Sequence, residues 1–248
     1  MPISSKIRKL VIPSWKLSGG ELVKERRGII ISELIPSAED LEKVKEFISR
    51  FVSFNDEQLN AFLQTMEMKR VPKGACLMEA GQVCDYVAFI NKGHFRTFCI
   101  INQEEVTYNF SFEGNFYTDY PSFLTRQPSM EYHQALVDSE VLVVSYEKMQ
   151  RTYRQMPVWE KFGRLIAEFI LVRIAERNRA MLFLSPEEQY LNLMKSRPKV
   201  FEKIPQHYIA SYLGIQPESL SRIRKRLSES KKWLFHRLHR SLFWFLLI

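Results

Sequence analysis

Apolar residues recur along this chain with more than one period, and each period predicts a different kind of element. From Asp40 to Phe62 they step by three and four, at Leu41, Val44, Phe47, Ile48 and Phe51, which predicts packing helices interrupted near Asn55-Asp56-Glu57. From Met68 to about Val144 the period falls to two, and turn residues recur at Pro72-Lys73-Gly74, Ala80-Gly81, Asn91-Lys92-Gly93, Ile101-Asn102-Gln103 and Glu113-Gly114-Asn115. Short strands at that spacing predict an antiparallel β-barrel or roll. From Pro157 a proline-free run carries apolar residues at 162, 165, 166, 169, 170, 172 and 174. It predicts one helix of about 25 residues, about 38 Å long. Its apolar surface is too wide for a single contact, which suggests that one side packs on the roll and another on an identical helix. A long core helix in a monomer is the other reading of the same pattern.

The helical period returns in IPQHYIASYLGIQPESLSRIRKRL, residues 204–227. Ile209, Ala210 and Leu213 share a face before Gly214, and Leu220, Ile223 and Leu227 share one after it. Glycine adopts the left-handed conformation that ends a helix without a Cβ penalty, and Pro217 suits a first helical position. The pattern is a helix-turn-helix. If the apolar residues of the second helix face inward, Glu218, Ser221, Arg222 and Lys225 point outward together. Arginine can bridge O6 and N7 of guanine and glutamate can accept from N4 of cytosine, while Arg224, Lys225 and Arg226 suit phosphates. The candidate DNA-contacting set is Gln216, Pro217, Glu218, Ser219, Ser221, Arg222, Arg224 and Lys225. Upstream, Ser185-Pro186-Glu187-Glu188 supplies an N-cap, an N1 proline and acids that suit a helix start.

Charge supports this reading once it is located. Residues 185–248 hold twelve basic against five acidic residues, whereas 41–184 hold seventeen against eighteen and 1–40 seven against five. The overall +8 is thus concentrated where the two-helix pattern lies, as a nucleic-acid-binding domain joined to a neutral one requires. Cys76, Cys84 and Cys99 form no CxxC pair and read as buried free thiols of a cytoplasmic protein. No signal peptide or membrane-spanning stretch is expected; the apolar run Ser241–Ile248 is far short of the about 20 residues a bilayer needs. No nucleophile elbow, P-loop, HExxH or paired-carboxylate pattern points to an enzyme, and neither a metal site nor a cofactor is expected.

The run VPKGACLMEAGQVCDYVAFINKGHFRTF resembles the opening of a cyclic-nucleotide-binding β-roll, with turn glycines at Gly74, Gly81 and Gly93 and the small Cys84 three residues after Gly81. Met78 and Ala88 depart from the usual signature. The span from about 41 to 230 resembles the Crp/Fnr family of transcription regulators. Residues 1–40 show no sustained period and carry Gly19-Gly20 and prolines 2, 13 and 36, so a poorly ordered extension is expected there; the resemblance implies an α+β chain with a jelly-roll-like sensory roll at 41–156, a dimerisation helix at 157–184, and a helix-turn-helix domain at 185–230. The family's winged helix closes with a β-hairpin that the apolar tail at 231–248 does not match. Its members hold a ligand through a cassette in which a glycine-glutamate pair meets the ribose and an arginine meets the cyclic phosphate. Aligned on Gly114, Phe116 and Ala135, this chain has Thr118-Asp119 at the pair and Ser129 at the arginine, with Arg126 three residues earlier. A serine hydroxyl does not neutralise a phosphate charge. The function so implied is that of a homodimeric DNA-binding regulator, its partners double-stranded DNA and an unknown small-molecule effector other than cyclic AMP. The competing reading is a ligand-binding or protein-interaction module that has lost DNA binding.

Overall fold

The structure is a computed structural model. It describes residues 36–229 and, outside that span, the backbone of three short strands. These are β1 (Trp15–Ser18), paired antiparallel with β2 (Glu21–Lys24), and β3 (Glu33–Leu34), which pairs with a strand of the roll. The expectation for the tail at 231–248, and most of that for 1–40, lies outside the described residues.

Helices α1 (Ala38–Ser49) and α2 (Asp56–Leu63) each begin at a reciprocal cap. Ser37 accepts from the N–H of Asp40 while Asp40 accepts from that of Ser37, and Asn55 and Gln58 repeat the exchange. Their apolar stripes bury Val44, Phe47 and Ile48 on α1 and Leu59, Phe62 and Leu63 on α2.

The roll is built from β4 (Glu67–Val71), β5 (Cys76–Met78), β6 (Tyr86–Lys92), β7 (His94–Ile101), β8 (Glu104–Phe112), β9 (Phe116–Tyr117), β10 (Tyr132–Ala135) and β11 (Ser139–Ser145), with the short α3 (Tyr120–Thr125) before β10. One sheet has the order β5-β10-β7-β8 and the other β3-β4-β11-β6-β9. Register is set by the inward face: Val141 lies opposite Ile90 and Val143 opposite Ala88, and all four join Val71, Phe95, Tyr117 and Ala135 in the core. Met78 and Ala88, the two departures from the signature, are both buried there or beside it. At the β6–β7 turn Gly93 has φ +95, and a Cβ would collide with Ser139. Only glycine meets both demands. The three cysteines are free, but only Cys84 is buried. This corrects the expectation for Cys76, half-buried on an edge strand, and for Cys99, half-buried on the outer part of the β7–β8 hairpin beside the exposed Ile100 and Ile101.

After β11 come α4 (Tyr146–Gln155), α5 (Pro157–Phe183), α6 (Pro186–Ser196), α7 (Lys199–Lys203), α8 (Gln206–Tyr212) and α9 (217–229). The chain groups into two compact units. One takes residues up to 97 together with 111–165; the other takes 98–110 together with residues from 166 onward.

In the first unit the start of α5 is held by a stack of aromatic rings. The Trp159 side chain is fully buried between Phe54 (centroids 4.2 Å apart) and Phe62 (3.9 Å), and its Nε1 donates to Gln58 O at 3.3 Å. Phe162 meets Trp159 edge-on and continues the cluster to Phe51 and Phe116, and through Phe116 to Phe47 and Phe89. Replacing Trp159 by alanine should cost about 3–5 kcal/mol, the range for a large buried aromatic. Urea denaturation followed by far-ultraviolet circular dichroism measures it, and a loss under about 1 kcal/mol would contradict this role.

Candidate functional site

Between β9 and β10 the chain makes a tightly tied loop, and the four residues nominated for ligand binding lie on it. Asp119 caps α3: one carboxylate oxygen accepts from Ser122 N at 3.1 Å and the other from Ser129 Oγ at 2.5 Å. Two cassette positions ten residues apart are thus joined by one hydrogen bond, both side chains buried. Thr118 donates to Tyr86 O at 2.7 Å and lies 3.3 Å from Cys84 Sγ. Arg126 sits in the left-handed region (φ +58) and is engaged locally. Its Nη1 donates to Cys84 O at 2.9 Å, its Nη2 pairs with Asp85 at 2.5 Å, and its guanidinium stacks 4.1 Å from the Tyr146 ring centroid.

These distances decide what the loop can do chemically. The Asp119 carboxylate is met by neutral donors, the Ser122 amide and the Ser129 hydroxyl, and the neighbouring guanidinium is tied to Asp85. An anion brought within about 4 Å of that carboxylate would be repelled by about 4 kcal/mol at an effective dielectric constant of 20. The site as built suits a neutral or cationic polar group better than a phosphate.

Beside the loop lies a buried polar cluster that the sequence did not reveal. His133, 1% exposed, shares one hydrogen bond between Nδ1 and Tyr86 Oη at 3.0 Å and another between Nε2 and Glu131 at 3.0 Å. Burial, above all, pushes the Tyr86 and Tyr117 hydroxyls well above the usual phenol range. The two phenols influence one another, although the Tyr117 hydroxyl makes no well-formed hydrogen bond among the described residues. Burial likewise raises the Cys84 thiol, which keeps it protonated and unreactive. The only signal for this cluster in the sequence was the alternation of Glu131, His133 and Ala135 on one side of a strand. His94 is buried and stacks on Phe112 at 5.9 Å, a packing role. Of the aromatic residues near the loop, Phe123 is buried and packs on Tyr146, and Tyr117 belongs to the core.

In the second unit α8 and α9 are joined by a tight turn. Ile215 N donates to Ala210 O and Gly214 N to Ser211 O, closing α8 around a left-handed Gly214 (φ +67). A Cβ there would touch nothing within 4 Å, so the demand is conformational rather than steric. Ile209, Ala210, Leu213, Leu220 and Ile223 are buried, and Leu227 is half-buried. Gln216, Pro217, Glu218, Ser221, Arg222, Arg224 and Lys225 are exposed, and Ser219 is half-buried. Arg226, on the same helix, pairs with Glu187.

Residues 68–156 match the family described as the cyclic nucleotide-binding domain. No curated protein matches the chain. Three solved structures are similar to the chain in fold. The c-di-GMP responsive global regulator CLP of Xanthomonas campestris is 15% identical, with 71% of this chain and 93% of that one aligned at a TM-score of 0.54. A CooA variant from Carboxydothermus hydrogenoformans is 16% identical over 73% and 87% of the two chains, at 0.56. FixK2 from Bradyrhizobium japonicum is 15% identical over 67% and 86%, at 0.56. At these identities the likeness is one of fold.

Asp119 caps α3 and anchors Ser129. Asp119→Ala should therefore lower stability by about 2 kcal/mol, the sum of a lost cap and a buried hydroxyl left unpaired. Chemical denaturation of the ligand-free protein reads this out; an unchanged midpoint would mean that the carboxylate holds nothing in the loop.

Proposed function

We propose that the protein is a homodimeric, sequence-specific DNA-binding transcription regulator of the Crp/Fnr kind, with a sensory roll that does not take cyclic AMP. The observation that carries this reading is α9, which buries Leu220 and Ile223 while exposing Glu218, Ser221, Arg222, Arg224 and Lys225 beside the turn at Gly214. In this reading α8 and α9 are a helix-turn-helix, with α9 in the major groove: Arg222 and Glu218 read base edges, and Arg224 and Lys225 hold phosphates. Gln216, Pro217 and Ser219 open the recognition helix against the backbone. The fold shared with CLP, a global regulator, is in keeping with it.

Dimerisation is proposed through α5, where Phe169, Leu171, Val172, Ile174, Met181, Leu182 and Phe183 are all exposed. Apolar side chains in such number on one helix mark a surface that another chain covers. In the division proposed here 41–156 senses, 157–184 pairs two copies and 185–230 reads DNA. No helix among the described residues is long and apolar enough to cross a membrane.

The test is selection of bound duplexes from a random pool, followed by titration of the selected sequence at several salt concentrations. An inverted repeat with half-sites about 34 Å apart is expected. Arg222→Ala should lose about 1–3 kcal/mol and relax preference at one base pair, whereas Lys225→Ala should weaken all duplexes alike and flatten the salt dependence. Equal loss by Arg222→Ala on selected and random duplexes would contradict the assigned roles. A wild-type chain that sediments as a monomer at micromolar concentration would remove the dimer.

The effector proposal rests on Asp119, Ser129 and Arg126. Ser129 can offer a cyclic phosphate a single neutral hydrogen bond, worth about 1 kcal/mol, where a charged one is worth about 1.5–3 kcal/mol. Thr118 places a Cβ where the family's glycine lets backbone approach the ligand. Calorimetry with cyclic AMP and cyclic GMP up to millimolar concentration should show no saturable heat. A micromolar dissociation constant for either nucleotide, abolished by Asp119→Ala, would overturn the proposal.

A further inference from the structure

The first turn of α6 carries two adjacent acids that are put to different uses. Glu188 turns back on its own helix start, where its carboxylate accepts from the Ser185 N–H at 2.8 Å and from the Ser185 hydroxyl at 2.7 Å. Glu187, half-buried, instead forms an ion pair and hydrogen bond with Arg226 of α9, 39 residues further along the chain. Acids are favoured in the first turn of a helix, where the dipole is positive, so Glu187 suits its own helix as well as its partner. The other cations of α9 are Arg222, Arg224 and Lys225. Among the described residues these three form no ion pair.

The pair takes one charge out of the basic run Arg224-Lys225-Arg226. At 100° per residue Arg226 lies about 80° round α9 from Glu218, between the exposed face of Glu218, Arg222 and Lys225 and the buried Ile223. A side chain at the border of a face that enters a groove is placed for a flanking phosphate. The guanidinium is a planar fork aimed in one direction, and here it is aimed at Glu187. Phosphate contacts add affinity for any duplex, whereas sequence is read by contacts to base edges. Withholding one phosphate contact therefore weakens binding to every duplex and leaves the base contacts in place.

We propose that Glu187 is a specificity-determining positioning residue, which holds Arg226 away from DNA phosphates and braces α9 against the first turn of α6. It touches no DNA and acts through Arg226. Binding then depends more on base readout by Arg222 and Glu218 than on attraction to the backbone. The proposal rests on the reading of α9 as a DNA-binding helix.

The test titrates the full chain with the selected duplex and with a random duplex of equal length at several salt concentrations. Wild type is compared with Glu187→Gln, Arg226→Gln and the double variant. Each phosphate newly neutralised steepens the dependence of log affinity on log salt by about 0.9. Glu187→Gln should steepen it by that amount and tighten the random duplex by about threefold or more at low salt. The selected duplex should gain less, because α9 loses its brace, so the ratio of the two affinities falls. Arg226→Gln should change the slope by less than about 0.3, and the double variant should return to the wild-type slope. A slope flattened by about 0.9 on Arg226→Gln would overturn the proposal, since Arg226 would then already hold a phosphate. So would an unchanged slope on Glu187→Gln, or a double variant that keeps the steepened slope, which would leave Glu187 acting through its own charge. A wild-type chain that binds no duplex would remove the DNA-binding reading and this inference with it, whereas binding with any of those contrary slopes removes this inference alone. Surface ion pairs contribute little to stability, so the variants should fold. Where Glu187→Gln does not, the slope of Arg226→Gln decides.

Discussion

The burial of one indole organises the N-terminal unit. Trp159 lies within 4.2 Å of Phe54 on one side and 3.9 Å of Phe62 on the other, and its single polar atom is satisfied by the Gln58 carbonyl. Aromatic pairs contribute about 0.5–1.5 kcal/mol each beyond the area they bury. Several such pairs meet here, and they connect α1 through Phe47 and the turn after it through Phe51, α2 through Phe62, and the five-stranded sheet through Phe89 and Phe116. The first turns of α5 are thereby seated on the roll. The seat depends on Gly163 as well, because any Cβ at that position would collide with Tyr153 of α4.

Much of this fold was legible in the spacing of apolar residues. The change from period three-and-four to period two near Met68, and back again at Pro157, coincides with the start of β4 and of α5 within a residue. Helix α4 is missing from the sequence reading, and of YEKMQRTYRQ only Met149 and Thr152 are buried. The two-helix stretch was read more completely than the roll's loop, because a helix face is a local property and a loop's partners are not. Arg126 meets Asp85 from 41 residues away, and Cys84 N meets Ser122 Oγ from 38. Nothing in the neighbourhood of Arg126 in the sequence announces that its guanidinium is already occupied.

The two units differ in how they treat charge. In the roll the Asp119 carboxylate is met by neutral donors and the nearby guanidinium of Arg126 is tied to Asp85. In the C-terminal unit the balance is left open. Exposed cations line α9, in the part of the chain that holds the basic excess. An open balance of that kind favours anionic partners, since they supply what the fold lacks.

The loop from Thr118 to Ser129 is fastened along its whole length. Gly81 N donates to Ser129 O and Ser129 N to Gln82 O, both at 2.8 Å, while Ser122 accepts from Cys84 N and donates to Gln127 O. Loops that trap ligands open by local fluctuation, and their amide hydrogens exchange with water far faster than those of the core. A segment bonded at this many points has no such cheap opening, so its amides exchange on the timescale on which the roll itself comes apart. In this protein the loop keeps time with the core.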